Sequence, residues 1–205
     1  DQDSEVVRGP NIKPFPINKT ASDTISGKSL IKVEDNITTD HIMPSNSKLL
    51  PYRSNVPYLA DYCLTPCDPD FPARAKENGG GFIIAGSNYG QGSSREHAAL
   101  APLQLGVKAV LAVSFARIHL ANLINNGILP LTFADAADYD RINLLDELEI
   151  KEAPAQIKSL AAGADMTVTN LTGGYDILVK LPLSERQADI LLSGGLLNYT
   201  KKQEN

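Results

Sequence analysis

The middle of the chain constrains the fold most strongly, because buried strands and helices alternate there. Apolar runs at Phe82–Gly86, Ala109–Val113 and Ile128–Phe133 have the length and composition of buried β-strands. Between them, one helix is predicted to begin near Ser93 and a second to run from Ser114 to Asn126. Strands that alternate with helices form parallel sheets with right-handed crossovers. The segment therefore predicts an α/β domain with a mostly parallel central sheet.

The other predicted elements lie on both sides of this central segment. Leu30–Val33 predicts a strand before it, and short helices are predicted at Tyr58–Leu64 and Phe71–Glu77. A final amphipathic helix is predicted at Ser184–Ser193, with a capping signal at its start. Three additional, shorter strands are predicted at Glu147–Ile150, Met166–Leu171 and Asp176–Leu181.

The domain organisation follows from where this pattern begins. Residues 1–28 are polar and contain three prolines, which predicts an N-terminal arm or interdomain linker. Residues 29–205 have the length of one domain. The chain does not begin with methionine, so we expect either processing or excision from a longer protein.

Charge and hydropathy exclude several classes of function. The chain has 19 Lys and Arg against 24 Asp and Glu, a formal net charge of −5. Binding to a nucleic-acid backbone needs a clustered basic surface instead. No stretch approaches the roughly 18 apolar residues of a membrane-spanning helix, and residues 1–20 lack a secretory signal pattern. We expect a cytoplasmic protein with no membrane partner and no main role in binding nucleic acid.

The two cysteines, Cys63 and Cys67, stand in a C-x3-C spacing. One pair cannot build a disulfide framework, and no third or fourth cysteine is present to complete a zinc or iron–sulfur site. We interpret them as structural thiols in a reducing compartment, and we expect no metal ligands in this chain.

The segment Gly86–His97, with the sequence GSNYGQGSSREH, carries the clearest chemical signal. It follows a buried strand and precedes a helix, where α/β sheets bind their ligands. Glycines allow close approach of the backbone, and free N–H groups at a helix start favour an anion. The segment lacks the Gly-Lys-Ser/Thr of a Walker loop, and Arg95 replaces the third glycine of a dinucleotide fingerprint. A carboxylate is therefore the expected ligand.

Two interpretations of Ser93 remain open at this point. Ser93 and Glu96 fit a capping box, in which the serine would only cap the first helical turn. Arg95 favours ligand binding, because a cation in the first turn opposes the helix dipole and calls for a nearby anion. Glu96 is a candidate for that anion as well.

Several motifs in one order resemble the C-terminal swivel domain of aconitases. The similarity covers residues 30 to 133 most firmly and implies a three-layer swivelling β/β/α domain. It also implies a hydro-lyase activity, the interconversion of citrate and isocitrate through cis-aconitate. The motifs are Asp35–Ile42 (DNITTDHI), Gly86–Leu100 (GSNYGQGSSREHAAL), Ser114–His119 (SFARIH), Asn122–Leu131 (NLINNGILPL) and Gly194–Tyr199 (GGLLNY).

The resemblance implies a cofactor and partners outside this chain. Aconitases bind substrate at a [4Fe–4S] cluster whose cysteines belong to three other domains, and Cys63 and Cys67 do not match those cysteines. We therefore expect a lid over the cluster in a longer enzyme of the tricarboxylic acid cycle, inactive as an isolated chain. The alternative is the small subunit of 3-isopropylmalate or homoaconitate dehydratase, which works with a cluster-bearing large subunit. RNA binding and a non-catalytic carboxylate-binding module are less favoured alternatives.

The resemblance also assigns roles to individual residues. Ser93 matches the catalytic serine, whose alkoxide removes the carbon-bound proton beside a carboxylate. Such an anion needs N–H groups and cations around it. Ser94 and Arg95 match ligands of a substrate carboxylate, and Arg53 matches the arginine for the far carboxylate. The spacing of Arg53 from Asp40 is longer than in the mitochondrial pattern, which leaves the choice of substrate open.

Four further residues are expected to support the site rather than to react: Thr39, Asp40, Asn88 and His97. The resemblance implies that Thr39 and Asp40 orient Ser93 or Arg95. Asp40 and its neighbour His41 are not expected to form a dyad, because adjacent residues of an extended segment point in opposite directions. His97 is expected to make a structural hydrogen bond. His119, in the middle of a helix, is expected to pack in the core.

Overall fold

Strands occupy all seven places at which the sequence predicts them. The computed structural model describes residues 9–204, so residues 1–8 of the predicted arm lie outside the described part. Strand β1 begins at Ile25, inside the segment predicted as an arm. The strands are β1 (Ile25–Val33), β2 (Gly81–Ala85), β3 (Val107–Ala112), β4 (Leu129–Phe133), β5 (Glu147–Ile150), β6 (Met166–Asn170) and β7 (Tyr175–Lys180).

The described helices include several that the sequence did not predict. They are α1 (Thr39–Ile42), α2 (Val56–Ala60), α3 (Phe71–Glu77), α4 (His97–Gln104), α5 (Arg117–Asn125), α6 (Asp138–Arg141), α7 (Ala153–Ala161), α8 (Glu185–Leu192) and α9 (Leu196–Gln203), with a 3-10 turn at Leu50–Tyr52. Helix α3 has the predicted bounds, and the predicted capping box of α8 is present, since Ser184 Oγ accepts from the backbone N–H of Gln187 at 3.3 Å. Helices α1 and α6 have only four residues each, too few for an apolar periodicity to mark them, and α9 packs only the partly buried Leu196 and Tyr199 against the core.

The sheet is mixed, so the expected mostly parallel central sheet with additional strands is confirmed only as a mixed α/β architecture. Strands β1, β2, β3 and β4 pair in parallel in that order, whereas β5, β6 and β7 pair antiparallel and join β1 to β4, closing the sheet. Strands β6 and β7 are joined by the turn at residues 171–174, and a turn this short allows only an antiparallel pair. Apolar runs predict strands, but they do not predict strand direction.

The parallel strands separate two hydrophobic clusters. Alternate residues of β2 face opposite sides: Ile83 and Ala85 belong to a cluster with α2, α3, α4 and α5, while Phe82 and Ile84 belong to a cluster with β5–β7, α7 and α8. The parallel strands therefore lie between a helical layer and the antiparallel strands. No helix within residues 9–204 has both the length and the apolar character needed to cross a membrane.

The register of the parallel strands places their carboxyl ends side by side. Val33 pairs with Ala85, Ala85 with Ala112, and Ala112 with Thr132. The segments that follow β1, β2 and β3 therefore start at one edge of the sheet. This is the edge at which α/β sheets place their ligand sites.

Two consecutive glycines before β2 provide a test of the packing at the opposite edge. Both have positive φ, but a Cβ on Gly80 would lie 2.0 Å from the carbonyl oxygen of Gly106, whereas a Cβ on Gly79 meets nothing within 4 Å. We expect Gly79→Ala to destabilise the fold by about 1–2 kcal/mol through backbone strain. Gly80→Ala should cost a further 1–3 kcal/mol or so from overpacking. Urea denaturation of both variants measures this difference, and equal losses would contradict it.

Candidate active site

The segment that follows β2, Gly86–Gly92, is called the glycine loop below. Backbone hydrogen bonds tie one side of it to the segment after β1. The N–H of Gly90 donates to the carbonyl oxygen of Ile37 at 2.7 Å, and the N–H of Thr39 donates to that of Gln91 at 2.8 Å. Close to β2, the N–H of Ser87 donates to the Asp35 carboxylate at 2.6 Å. These bonds fix the loop against residues 35–39.

The other side of the glycine loop is tied to the segment after β3. The N–H of Tyr89 donates to the carbonyl oxygen of Ser114 at 3.0 Å, and the N–H of Ala116 donates to that of Tyr89 at 2.9 Å. The N–H of Asn88 donates to Ser114 Oγ at 2.8 Å. The loop is therefore held from both sides by main-chain bonds, and Ser93 follows directly after it.

A cleft of about 410 Å³ opens where the glycine loop ends. It brings together all four residues predicted to bind or convert substrate, including Arg53, which is distant in sequence from the other three. The predicted supporting residue His97 also lines it, whereas Thr39, Asp40 and Asn88 do not. The lining residues are Met43, Pro44, Ser45, Leu49, Leu50, Arg53, Leu59, Ser93, Ser94, Arg95, Glu96 and His97.

Ser93 does not cap a helix, so the capping interpretation is wrong. Helix α4 begins at His97, and the residue that precedes it, Glu96, makes no side-chain capping bond. The predicted helix start near Ser93 is thus several residues too early, because the loop is engaged in bonds to residues 35–39 instead. For the same reason, Arg95 does not lie in the first turn of α4. Ser93 and Ser94 lie in an irregular segment that lines the cleft.

Arg95 is held by Asp40 through two hydrogen bonds. Its Nη1 donates to Asp40 Oδ1, and its Nη2 donates to Asp40 Oδ2 at 3.2 Å. Two parallel bonds of this kind fix the guanidinium plane. Within the described residues, the carboxylate that contacts Arg95 is therefore that of Asp40 and not that of Glu96. The hydrogen bonds of His41 go to Thr38 instead, since its ring and its N–H complete a capping box with that residue.

His97 connects α4 to the segment that carries Arg53. Its Nε2 lies 2.8 Å from the backbone carbonyl oxygen of Arg53, a structural hydrogen bond of the kind expected from the sequence. The next residue, Ser54, accepts a bond at 2.9 Å from the backbone N–H of Lys13 in the arm. These two contacts position Arg53 at the wall of the cleft.

Thr39 and Asn88 support the glycine loop without lining the cleft. Asn88 Nδ2 donates to Asn36 Oδ1 and to Gln91 Oε1, both at 3.1 Å. The backbone of Thr39 binds the loop, and its buried hydroxyl has no hydrogen-bond partner within the described residues. Both residues therefore act on the loop that precedes Ser93.

The ring of His119, from α5, packs against that of Tyr89, a residue of the glycine loop, and the sequence did not predict this contact. Both are buried, with relative exposures of 2% and 1%, and their ring centroids are 5.4 Å apart. Within the described residues, neither nitrogen of His119 nor the hydroxyl of Tyr89 has a hydrogen-bond partner. Burial lowers the pKa of His119 from 6.5 to about 4 and raises the pKa of Tyr89. Both side chains are therefore uncharged at neutral pH.

The cysteines show no features of a reactive or metal-binding pair. Cys63 is buried, Cys67 is exposed, and both are free thiols. Burial raises the pKa of each thiol, which disfavours the thiolate that nucleophilic or metal chemistry requires. Among the described residues, no three His, Cys, Asp or Glu side chains are grouped so that they could hold a metal ion.

Fold and site together define a chain of the aconitase type. The Aconitase C-terminal domain family matches residues 22–136, more than half of the chain, and the chain belongs to this family. The 3-isopropylmalate dehydratase small subunit 2 of Archaeoglobus fulgidus is 46% identical over 171 residues, 83% of this chain and 92% of the relative. A probable mitochondrial aconitate hydratase of Dictyostelium discoideum is 35% identical over 229 residues, 98% of this chain but 29% of the relative.

A solved structure extends this similarity to the fold. The crystal structure of 3-isopropylmalate dehydratase (leuD) from Methanocaldococcus jannaschii aligns with a TM-score of 0.71 and 32% sequence identity. The alignment covers 88% of this chain and 95% of that chain. The relatives are hydro-lyases of the aconitase family, and they include both whole small subunits and large enzymes of which this chain spans about a quarter to a third.

The buried position of His119 predicts a pH dependence of stability. Between pH 6.5 and about 4, the unfolded chain binds a proton at this residue that the folded chain does not bind, so stability falls as the pH falls. From pH 7 to pH 5 this loss should be roughly 2 kcal/mol. Urea denaturation at both pH values should show it in the wild type and not in His119→Phe. An equal pH dependence in the two chains would contradict the assignment.

Proposed function

We propose that the chain is the swivel domain of an aconitate hydratase that interconverts citrate and isocitrate in the tricarboxylic acid cycle. The observation that carries the proposal is the cleft itself. Ser93, Ser94, Arg95 and Arg53 all line it, so that two hydroxyls and two guanidinium groups share one cleft. Two separate cations suit a substrate with several carboxylates better than a neutral one or a monoanion.

Ser93 is the proposed base. As an alkoxide, its Oγ would remove the proton from the substrate carbon beside a carboxylate and later return it to the product. A serine hydroxyl is far too weak an acid to ionise in water, so its anion depends on positive charge and N–H groups nearby. Arg95, two residues along the chain and in the same cleft, provides such a charge.

Arg95 and Arg53 are the proposed carboxylate ligands, together with the hydroxyl of Ser94. The pair with Asp40 uses two of the five N–H donors of Arg95 and leaves three for a substrate carboxylate. Within residues 9–204, no side-chain carboxylate forms an ion pair with Arg53, so its guanidinium is available to the far carboxylate. Thr39, Asp40, Asn88 and His97 then keep these groups in place.

The proposal includes partners that carry the [4Fe–4S] cluster. When bound in the complete enzyme, the cluster supplies a Lewis acid for the substrate hydroxyl. The described residues of this chain offer no set of ligands for it. The cluster would be held by further domains of the same enzyme or by a separate large subunit, and this chain alone would be inactive.

A second candidate is the small subunit of an isopropylmalate dehydratase. The A. fulgidus relative with that name is 46% identical and has nearly the same extent as this chain. In addition, Leu49, Leu50 and Leu59 form an apolar part of the cleft wall beside Arg53, which suits a substrate with a branched alkyl group. Turnover of 3-isopropylmalate but not of citrate by the complete enzyme would establish this candidate and exclude aconitase activity.

The role of Ser93 is tested by its replacement with alanine in the complete enzyme. We expect Ser93→Ala to lower kcat by at least about 10³-fold, because the proposed base is removed, while KM changes little. Ser87→Ala is the matched control: Ser87 lies in the glycine loop but outside the cleft, and its backbone makes the bond to Asp35. Steady-state rates with citrate and isocitrate measure both. A Ser93→Ala enzyme with normal kcat would refute the assignment.

The role of Arg53 is tested by Arg53→Met, which keeps an unbranched apolar stem and removes the charged guanidinium. We expect kcat/KM for isocitrate to fall by roughly 10²-fold, or about 3 kcal/mol, because a charge-assisted pair to one carboxylate is lost. The control is Arg117→Met, since Arg117 is exposed and lies outside the cleft. If Arg53→Met left isocitrate turnover unchanged, the far carboxylate would have to bind elsewhere.

A further inference from the structure

The contact between His119 and the glycine loop is the feature beneath the site that the proposed chemistry does not use. A Cβ built on Gly90 would lie 2.2 Å from Cδ2 and Cγ of His119 and 2.4 Å from its Cβ. The imidazole therefore lies directly against the backbone of Gly90. Gly90 has a φ of +86°, so both its conformation and its contact with the ring require glycine.

This contact supports the loop at Gly90, one residue beyond the last hydrogen bond from the segment that follows β3. The N–H of Gly90 is bound to Ile37 on one side. Towards α5, the hydrogen bonds of the loop end at Tyr89, and the next contact is the ring of His119 against Gly90. Ser93 is three residues further along the chain. Displacement of Gly90 would therefore move the start of the segment that carries the proposed base.

His119 contacts the loop through van der Waals packing, because no described residue forms a hydrogen bond with either of its ring nitrogens. The ring is uncharged at neutral pH, as shown above, and its other described ring contact is Tyr89, the residue before Gly90. An uncharged planar ring that is buried on all sides has little freedom to move in a closely packed interior. It can therefore define the position of Gly90 to a fraction of an ångström.

We propose that His119 is a positioning residue for the aconitase-type reaction, whose ring against Gly90 sets the glycine loop and thereby the place of Ser93 in the cleft. The catalytic part of this inference rests on the proposed function. The structural part, that the ring orders the loop, does not. The experiments below test the two parts separately.

The first experiment measures turnover in the complete enzyme with citrate as substrate. We expect His119→Ala to lower kcat by roughly 10- to 100-fold, since small misplacements of a reacting group have effects of this size, while KM stays within about threefold. His119→Phe, which restores a planar ring, should recover most of the lost kcat. The control is Ile124→Ala, which removes another buried side chain from α5, in the other hydrophobic cluster. It should lower stability and leave kcat per folded enzyme unchanged.

The second experiment is amide hydrogen exchange of the 205-residue chain and does not depend on any activity. In His119→Ala, amides of the glycine loop and of residues 93–96 should exchange faster, while amides of β2 and β3 keep their wild-type rates. A double-mutant cycle with Gly90→Ala should show coupling. The added Cβ collides with Cγ and Cδ2 of His119, which alanine removes, and with its Cβ, which alanine keeps. Gly90→Ala should therefore cost less stability in the His119→Ala background than in the wild type, without becoming neutral.

Three results would overturn the proposal. The first is a His119→Ala enzyme with kcat within about twofold of the wild type. The second is faster exchange spread equally over the loop and the strands, which would mean a general loss of stability. The third is a His119→Phe enzyme as impaired as His119→Ala, which would show that a ring nitrogen and not the ring shape is needed. If the wild-type enzyme does not convert citrate at all, the proposed function fails, and exchange of the loop still decides the structural part.

Discussion

The parallel order of β1, β2 and β3 is the constraint on which the site depends. Because β2 lies between the other two, the segment that follows it emerges between the segments that follow β1 and β3. Main-chain bonds from Ile37 and from Ser114 can therefore reach the glycine loop from opposite sides. Buried main-chain groups need such partners, so the topology itself stabilises an irregular loop at the sheet edge. The site is built on this loop, although the loop has no regular structure of its own.

The sequence predicts those elements whose cause is local. The strands are buried apolar runs or short segments that alternate between buried and exposed residues, and the capping box of α8 lies within four consecutive residues, so both were found. The start of α4 was missed for the opposite reason. The Ser93-Ser94-Arg95-Glu96 sequence matches a capping box locally, but the preceding loop is bound to residues 35–39, and the helix begins only at His97. Tertiary hydrogen bonds outweighed a local preference of about 1 kcal/mol.

The residues of the candidate site also differ in whether local sequence or the fold brings them together. Ser93, Ser94 and Arg95 are neighbours in sequence, so a single motif was enough to predict them together. The partner of Arg95 was not decided by the motif, because Glu96 is adjacent in sequence whereas Asp40 comes near only through the fold. The contact of His119 with Gly90 is only weakly indicated by the sequence. A glycine in a loop suggests that another group packs closely against the backbone, but it does not show which side chain that is.

The distribution of charge around the loop supports the proposal that the cleft binds a polyanion. The pKa shifts of His119, Tyr89 and Cys63 all favour the uncharged form, so these side chains contribute no charge to the cleft at neutral pH. The carboxylate of Asp40 partly neutralises the charge of Arg95. The Asp40 side chain is 61% exposed, so water screens its charge. Arg53 has no such compensation among the described residues. A substrate with carboxylates at both ends would neutralise the guanidinium groups of Arg95 and Arg53 at once. A substrate with an alkyl group at the far end would leave Arg53 without a counter-ion and would contact Leu49, Leu50 and Leu59 instead. Under the proposed function, substrate choice therefore depends on whether Arg53 or the leucine wall faces the far end of the substrate.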